Sequence, residues 1–183
     1  NEVGFRTIEI NEGQLRVNGK SIYVKGVNLH EHHDVTGHYV DEETMVKDIK
    51  TMKMFNINAV RTSHYPQPEK FYKICNTYGM YVVNEANIES HGIGACHQGT
   101  FDTISHPAYR KEWEGAHMDR MKSMFERDKS QPSVIIWSLG NECGNGPVFF
   151  EGYDWLKQQD PSRPVQFEQA GLASNADIVA TMC

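Results

Sequence analysis

SIYVKGVNLHEHH, residues 21–33, opens as a β-branched and aromatic run and ends in three histidines and a glutamate. The residues just past that strand decide between two parallel-sheet architectures. A doubly wound sheet binds a nucleotide at a Gly-rich turn after its first strand, where backbone amides and a helix N-terminus meet the phosphate. NLHEHH at residues 28–33 offers no such cradle. A closed barrel instead places its chemistry at the C-terminal ends of many strands. The polar tails of the later strands are therefore the test.

Outward from this stretch, short apolar runs recur at residues 57–65, 80–88 and 134–142, and more weakly at 164–169 and 177–182. They make six candidate strands with the first. Between the first two, Met45, Ile49 and Met52 recur at helical spacing behind a cluster of acidic residues that suits a helix N-terminus. Phe71, Ile74, Cys75 and Tyr78 form a second stripe, opened by Pro68 and closed by Gly79. Tyr109, Trp113, Met121 and Met124 predict a long helix before the fourth strand, and Phe149, Tyr153 and Leu156 another before the fifth. These aromatic and methionine side chains are expected in the core. Strands separated by helices, and apolar along most of their length, predict a parallel sheet covered on both faces.

The first four strands each end in chemically capable residues. His30, Glu31, His32 and His33 come after the first, Arg61, Ser63 and His64 after the second, Glu85, Asn87, Glu89 and His91 after the third, and Asn141 and Glu142 after the fourth. One such residue is ordinarily structural; four convergent strand ends read as a catalytic rim. No GxSxG elbow is present, and Cys143 has no obvious base, so acyl transfer is disfavoured. HEHH and ESH place His and Glu together, which keeps a metal-dependent hydrolase open, although HEHH lacks the spacing of HExxH. Glycoside hydrolysis, which needs two carboxylates among hydroxyl-binding side chains, also fits the rim.

Composition narrows the partners. The chain has 183 residues, 39% hydrophobic, with a formal net charge of −6 and no Lys/Arg cluster, which argues against nucleic acid and anionic membranes. No apolar run approaches a membrane span, and the first residues carry no signal-peptide pattern. Cys75, Cys96, Cys143 and Cys183 show no pairing framework and are read as free thiols. They point to a reducing compartment, the cytoplasm before the periplasm.

GVNLHEHH, AVRTSHYP, YVVNEANIESHG and PSVIIWSLGNECGNG, taken in order, resemble the catalytic barrel of glycoside hydrolase family 2, and the last resembles its β-galactosidase branch. The resemblance implies a (β/α)8 TIM barrel, present as about its first six strands, with residues 1–14 as a lead-in from an upstream domain. It implies retaining hydrolysis of terminal β-D-galactosides, with Glu142 as general acid/base and Arg61 orienting the nucleophilic carboxylate. His30, His64 and Asn141 match substrate-binding positions. Glu89, His91 and Glu142 match the ligands of a Mg2+ ion, for which Mn2+ should substitute. A monovalent cation would be held by residues outside this stretch. Other domains of the same chain and a homo-oligomer are expected as partners. Asn84 and Cys143 depart from the family's usual Asp and Ser, and both are expected near the site. Glu85, Ser63, His32 and His33 are expected as supporting residues, and Trp137 as core. The family's nucleophile lies on a seventh strand, which is not reached by Cys183; Glu168 does not match it. A catalytically silent domain, a sister activity such as β-glucuronidase, and another metal-dependent hydrolase remain the competing readings.

Overall fold

The computed structural model describes residues 3–93, 95–97 and 100–180. It begins with an antiparallel meander of β1 (Ile8–Asn11), β2 (Gln14–Val17) and β3 (Lys20–Ser21). Two tight turns build it. Glu12-Gly13 and Asn18-Gly19 all have positive φ, between 51° and 74°, which matches the twist of a two-residue hairpin loop. The meander takes in the start of the first expected strand, since β3 ends at Ser21. Residues 21–30 do not form one element; β4 is confined to Gly26–Leu29.

The remaining chain alternates as the periodicity predicts. β4 leads to α1 (Glu42–Met54), β5 (Ala59–Thr62), α2 (Glu69–Tyr78) and β6 (Tyr81–Glu85). An antiparallel pair, β7 (Ala95–His97) with β8 (Thr100–Phe101), precedes α3 (Lys111–Asp128). Then come β9 (Val134–Ser138), α4 (Pro147–Gln159) and β10 (Val165–Gln166). Helix ends are set by side chains and glycines: Asp41 accepts the Thr44 amide at 2.8 Å to cap α1, and Gly79 closes α2 at φ 67°.

The central sheet has the order β10-β9-β6-β5-β4, with every neighbouring pair parallel. Consecutive placement of β4, β5, β6 and β9 makes it an open arc of a barrel. The sixth expected strand is a single parallel bridge, Ile178 to Gln166, among the described residues; residues 181–183 lie outside them. Val60, Val82, Val134, Trp137 and Val165 face the helices and pack on Ile49, Phe71, Met121, Phe149 and Leu156. Val83, Ile135 and Ile136 face the other way, where Ile8 and Leu15 of the meander cover them. The Arg6 guanidinium, which donates to the Val134 carbonyl at 2.8 Å, ties the meander to the N-terminal end of the sheet. The opposite rim stays open for polar side chains.

Cys75 and Cys143 are buried free thiols, as expected; Cys183 and the Cys96 side chain lie outside the described residues. Trp137 is fully buried, its indole N–H on Asp160 at 3.0 Å. Trp113 corrects the expectation of a core residue. It sits one turn into α3 on the solvent side, 50% exposed, and lines a cavity of about 240 Å³ beside Glu89.

Candidate active site

Alternation along each strand sends every second residue to the interior of the arc. On β5 that residue is Arg61, and on β6 it is Glu85, the last residue of the strand. Glu85 has no exposed side-chain surface and stands at the centre of the rim. Its Oε2 accepts from Arg61 Nε and from Ser138 Oγ, both at 2.6 Å, and its Oε1 meets His64 Nδ1 at 2.6 Å. Gln166 of β10 donates to Ser138 Oγ at 3.2 Å, so the network crosses four strands. Hydrogen bonds to a charged partner such as the Arg61 guanidinium are the short, strong kind that offset the burial of a carboxylate. Sequence reasoning assigns Glu85 a supporting place; it is the hub that fixes Arg61 and His64.

Arg61 reaches further. Its second guanidinium nitrogen donates to Asn141 Oδ1 at 2.9 Å, and Asn141 Nδ2 donates to Glu89 Oε1 at 3.1 Å. The tails of β6 and β9 run side by side here, with the Asn141 amide on the Ile88 carbonyl at 2.9 Å. That approach needs Gly140: a Cβ there would come within 2.8 Å of the Ile88 carbonyl oxygen, and the residue holds φ 157°. The Gly of LGNE therefore places Asn141 and Glu142 against the NIESH segment.

Glu142 itself adopts φ 43°, and its backbone amide donates to Glu168 Oε1 at 2.5 Å. Its carboxylate faces His91, whose Nδ1 lies 3.5 Å from Glu142 Oε2 and 3.4 Å from Glu89 Oε1. Ligand atoms of Glu89, His91 and Glu142 all fall within 4.8 Å of one another. Among the described residues these three form the one group of three or more metal-capable side chains. Two carboxylates and an imidazole, partly exposed, suit a divalent cation that keeps water among its ligands.

His30 lies on the exposed lip, its ring 5.2 Å from the His64 ring and 6.1 Å from that of His32. His33 is turned into its own loop, where its Nδ1 accepts the Val35 and Thr36 amides at 3.2 Å. Asn84 corrects its expected place near the site. It points to the helix side, accepting from Tyr72 Oη at 2.6 Å and donating to the buried Asp128 carboxylate at 2.7 Å. Cys143, next to Glu142 in sequence, is fully buried, and burial pushes its thiol well above the usual range, which disfavours the thiolate. Burial likewise pushes the Glu168 carboxyl up.

With this geometry in place, comparison with known proteins identifies the lineage. Residues 8–183 match the model of glycosyl hydrolases family 2, TIM barrel domain. The chain belongs to that family. A β-galactosidase of Alteromonas mediterranea is 51% identical over 181 residues, and one of Vibrio vulnificus 49%. These alignments cover 98% of the chain and 17% of each relative, so the chain spans about one sixth of their length. Among solved structures, Faecalibacterium prausnitzii β-glucuronidase superposes with a TM-score of 0.75 at 34% identity, covering 90% of this chain and 28% of that one. Ruminococcus gnavus β-glucuronidase superposes with a TM-score of 0.82 at 24% identity over 98% and 33%. The open parallel arc is thus part of a TIM barrel.

Proposed function

We propose that this chain carries the acid/base half of a retaining glycosidase acting on terminal β-D-galactosides. The observation that carries the reading is the placement of Glu142 at the tail of β9, beside Asn141 and within reach of Glu89 and His91. In the first step Glu142 gives its proton to the glycosidic oxygen as the C–O bond breaks and a carboxylate bonds to the anomeric carbon. In the second, ionised Glu142 takes a proton from the water that displaces that carboxylate. Asn141, held by Arg61, presents its amide to a sugar hydroxyl, while His64, held by Glu85, and His30 line the same rim.

This reading takes the nucleophilic carboxylate from elsewhere in the intact protein. Glu85 is saturated by Arg61, His64 and Ser138, and Glu168 is tied to the Glu142 amide, so neither carboxylate is poised to attack. Glu89, His91 and Glu142 would hold a Mg2+ ion, which supplies positive charge that favours the ionised form of the acid/base. What supports a galactoside over a glucuronide is the identity of about one half to β-galactosidases against 34% to a β-glucuronidase.

The test uses the intact protein that carries this sequence, with Glu142→Gln assayed on substrates of graded leaving-group ability. A loss of roughly 10²–10⁴-fold in kcat/KM on alkyl galactosides, much smaller on dinitrophenyl galactoside, is expected of a general acid. Equal loss on both sinks the assignment, and faster turnover of aryl glucuronides than of aryl galactosides sinks the substrate.

A further inference from the structure

We propose that Glu168 is a positioning residue for Glu142, clamping its backbone N–H from the neighbouring strand and so aiming its carboxylate at Glu89 and His91. The proposal rests on the acid/base reading of Glu142 and adds a residue to it.

The backbone supplies the first reason. Glu142 occupies the left-handed region, φ 43°, where a side chain with a Cβ is disfavoured by roughly 1–2 kcal/mol. β9 ends at Ser138, so the sheet ladder does not extend to residue 142. Besides the Asn141 side-chain bonds to Arg61 and Glu89, two backbone N–H groups fasten this turn: the Asn141 amide on the Ile88 carbonyl towards β6, and the Glu142 amide on Glu168 Oε1 towards β10. The turn is pinned on both sides, and one of the pins is a side chain.

Glu168 is an odd choice for a purely architectural pin. It comes shortly after β10, next to the fully buried Phe167, in a short turn ending at Gly171. Among the described residues, its second oxygen, Oε2, is buried without a hydrogen-bond partner. A buried acceptor left unmatched costs about 1–3 kcal/mol. A hydroxyl or amide side chain would satisfy the Glu142 N–H at less cost to folding. Departures of this kind concentrate where geometry serves a reaction. The short 2.5 Å contact fixes the Glu142 φ/ψ pair, and through it the direction of a carboxylate that lies 3.5 Å from His91.

Glu168→Leu and Glu168→Gln in the intact protein separate the possibilities, because Gln keeps a carbonyl oxygen where Oε1 stands and Leu keeps only bulk. For Glu168→Leu, kcat/KM on an alkyl β-galactoside should fall about 10- to 100-fold, part of what a general acid contributes. On dinitrophenyl β-galactoside, which needs little proton donation, it should change by less than about threefold. Glu168→Gln should stay within about threefold of the parent on both substrates, since the amide oxygen preserves the acceptor. Equal losses on the two substrates, no loss in Glu168→Leu, or a Gln variant as impaired as the Leu variant would each overturn the proposal. Amide hydrogen exchange of a peptide covering residue 142 reads the clamp without catalysis: it should quicken in Glu168→Leu and not in Glu168→Gln. If Glu142→Gln lacks leaving-group dependence, the acid/base reading fails; the exchange result then still decides whether the clamp exists.

Discussion

Glu85 offers the sharpest test of how the rim is held. Replacing it by Leu removes the acceptor shared by Arg61, His64 and Ser138, together with the negative charge facing Arg61 and His64. At 2.6 Å, and with an effective dielectric of about 20, the Arg61 pair alone corresponds to roughly 6 kcal/mol of Coulomb energy. That figure is an upper bound, because both groups lose hydration on folding. Breaking a buried pair by removing one partner typically costs about 3–5 kcal/mol, since the survivor is left uncompensated. Arg61 is the survivor, with 13% of its side chain exposed. Hydrogen–deuterium exchange in the intact protein, monitored in peptides of β5 and β6, measures the local opening free energy. At about 1.4 kcal/mol per tenfold, protection should fall by roughly two to four orders of magnitude. Adding Arg61→Met should recover part of the loss, because the buried charge that faced Glu85 is removed along with it. Protection within tenfold of the parent in Glu85→Leu, or a double variant as poor as the sum of the singles, would refute the hub.

Two further expectations concern packing and pH. At Gly146 an added Cβ would stand 1.8 Å from the Ala108 carbonyl oxygen, whereas at Gly152 the nearest atoms are the sulfur and methyl of Met121, at 2.3 and 2.9 Å. Backbone cannot yield as a thioether end can, so Gly146→Ala should cost about 3 kcal/mol in denaturant titrations. Gly152→Ala, inside α4, should stay within about 1 kcal/mol because better helix propensity offsets the repacking; the reverse order would show the contacts misjudged. His117 is buried against Phe149 with Nδ1 on the Trp113 carbonyl, and burial lowers its pKa from the ordinary 6.5. The unfolded chain therefore binds a proton near pH 6.5 that the folded site accepts only at lower pH. Stability is complete above that value and declines as pH falls through it. Thermal melts from about pH 7.5 down to about pH 5.5 should show the decline, with a shallower slope in His117→Gln; an unchanged slope would remove His117 as its source.

The barrel arc is legible because both of its signals are local. Apolar runs separated by stripes such as Phe71–Ile74–Cys75–Tyr78 predict strand, helix and strand, and α2 ends at Gly79 as its stripe implies. The meander has a local signal too, one that the strand-and-helix alternation hides: Asn18-Gly19 between alternating residues is a strong hairpin pattern, and it places β2 and β3. Trp113 misleads for a different reason. It continues the stripe of Met121 and Met124, yet at the first turn of α3 that face has already left the sheet behind, and the indole meets a cavity.

The site divides along the same physical line. Glu89, His91, Asn141 and Glu142 are close in sequence to their strand ends, so naming the strands brings them together. What holds them is non-local. Glu85 acquires its role from Arg61, 24 residues earlier, and Ser138, 53 residues later, and Glu168 meets Glu142 across 26 residues. No spacing in the chain announces such pairs; they exist only once parallel register sets β5, β6, β9 and β10 side by side. Register also separates Asn84 from Glu85. Adjacent in sequence, they face opposite sides of β6, one serving the helix layer through Tyr72 and Asp128 and the other serving the rim. A motif such as NEANIES therefore mixes two jobs, and only the two-residue period of the strand sorts its letters into those that support the barrel and those that face the rim.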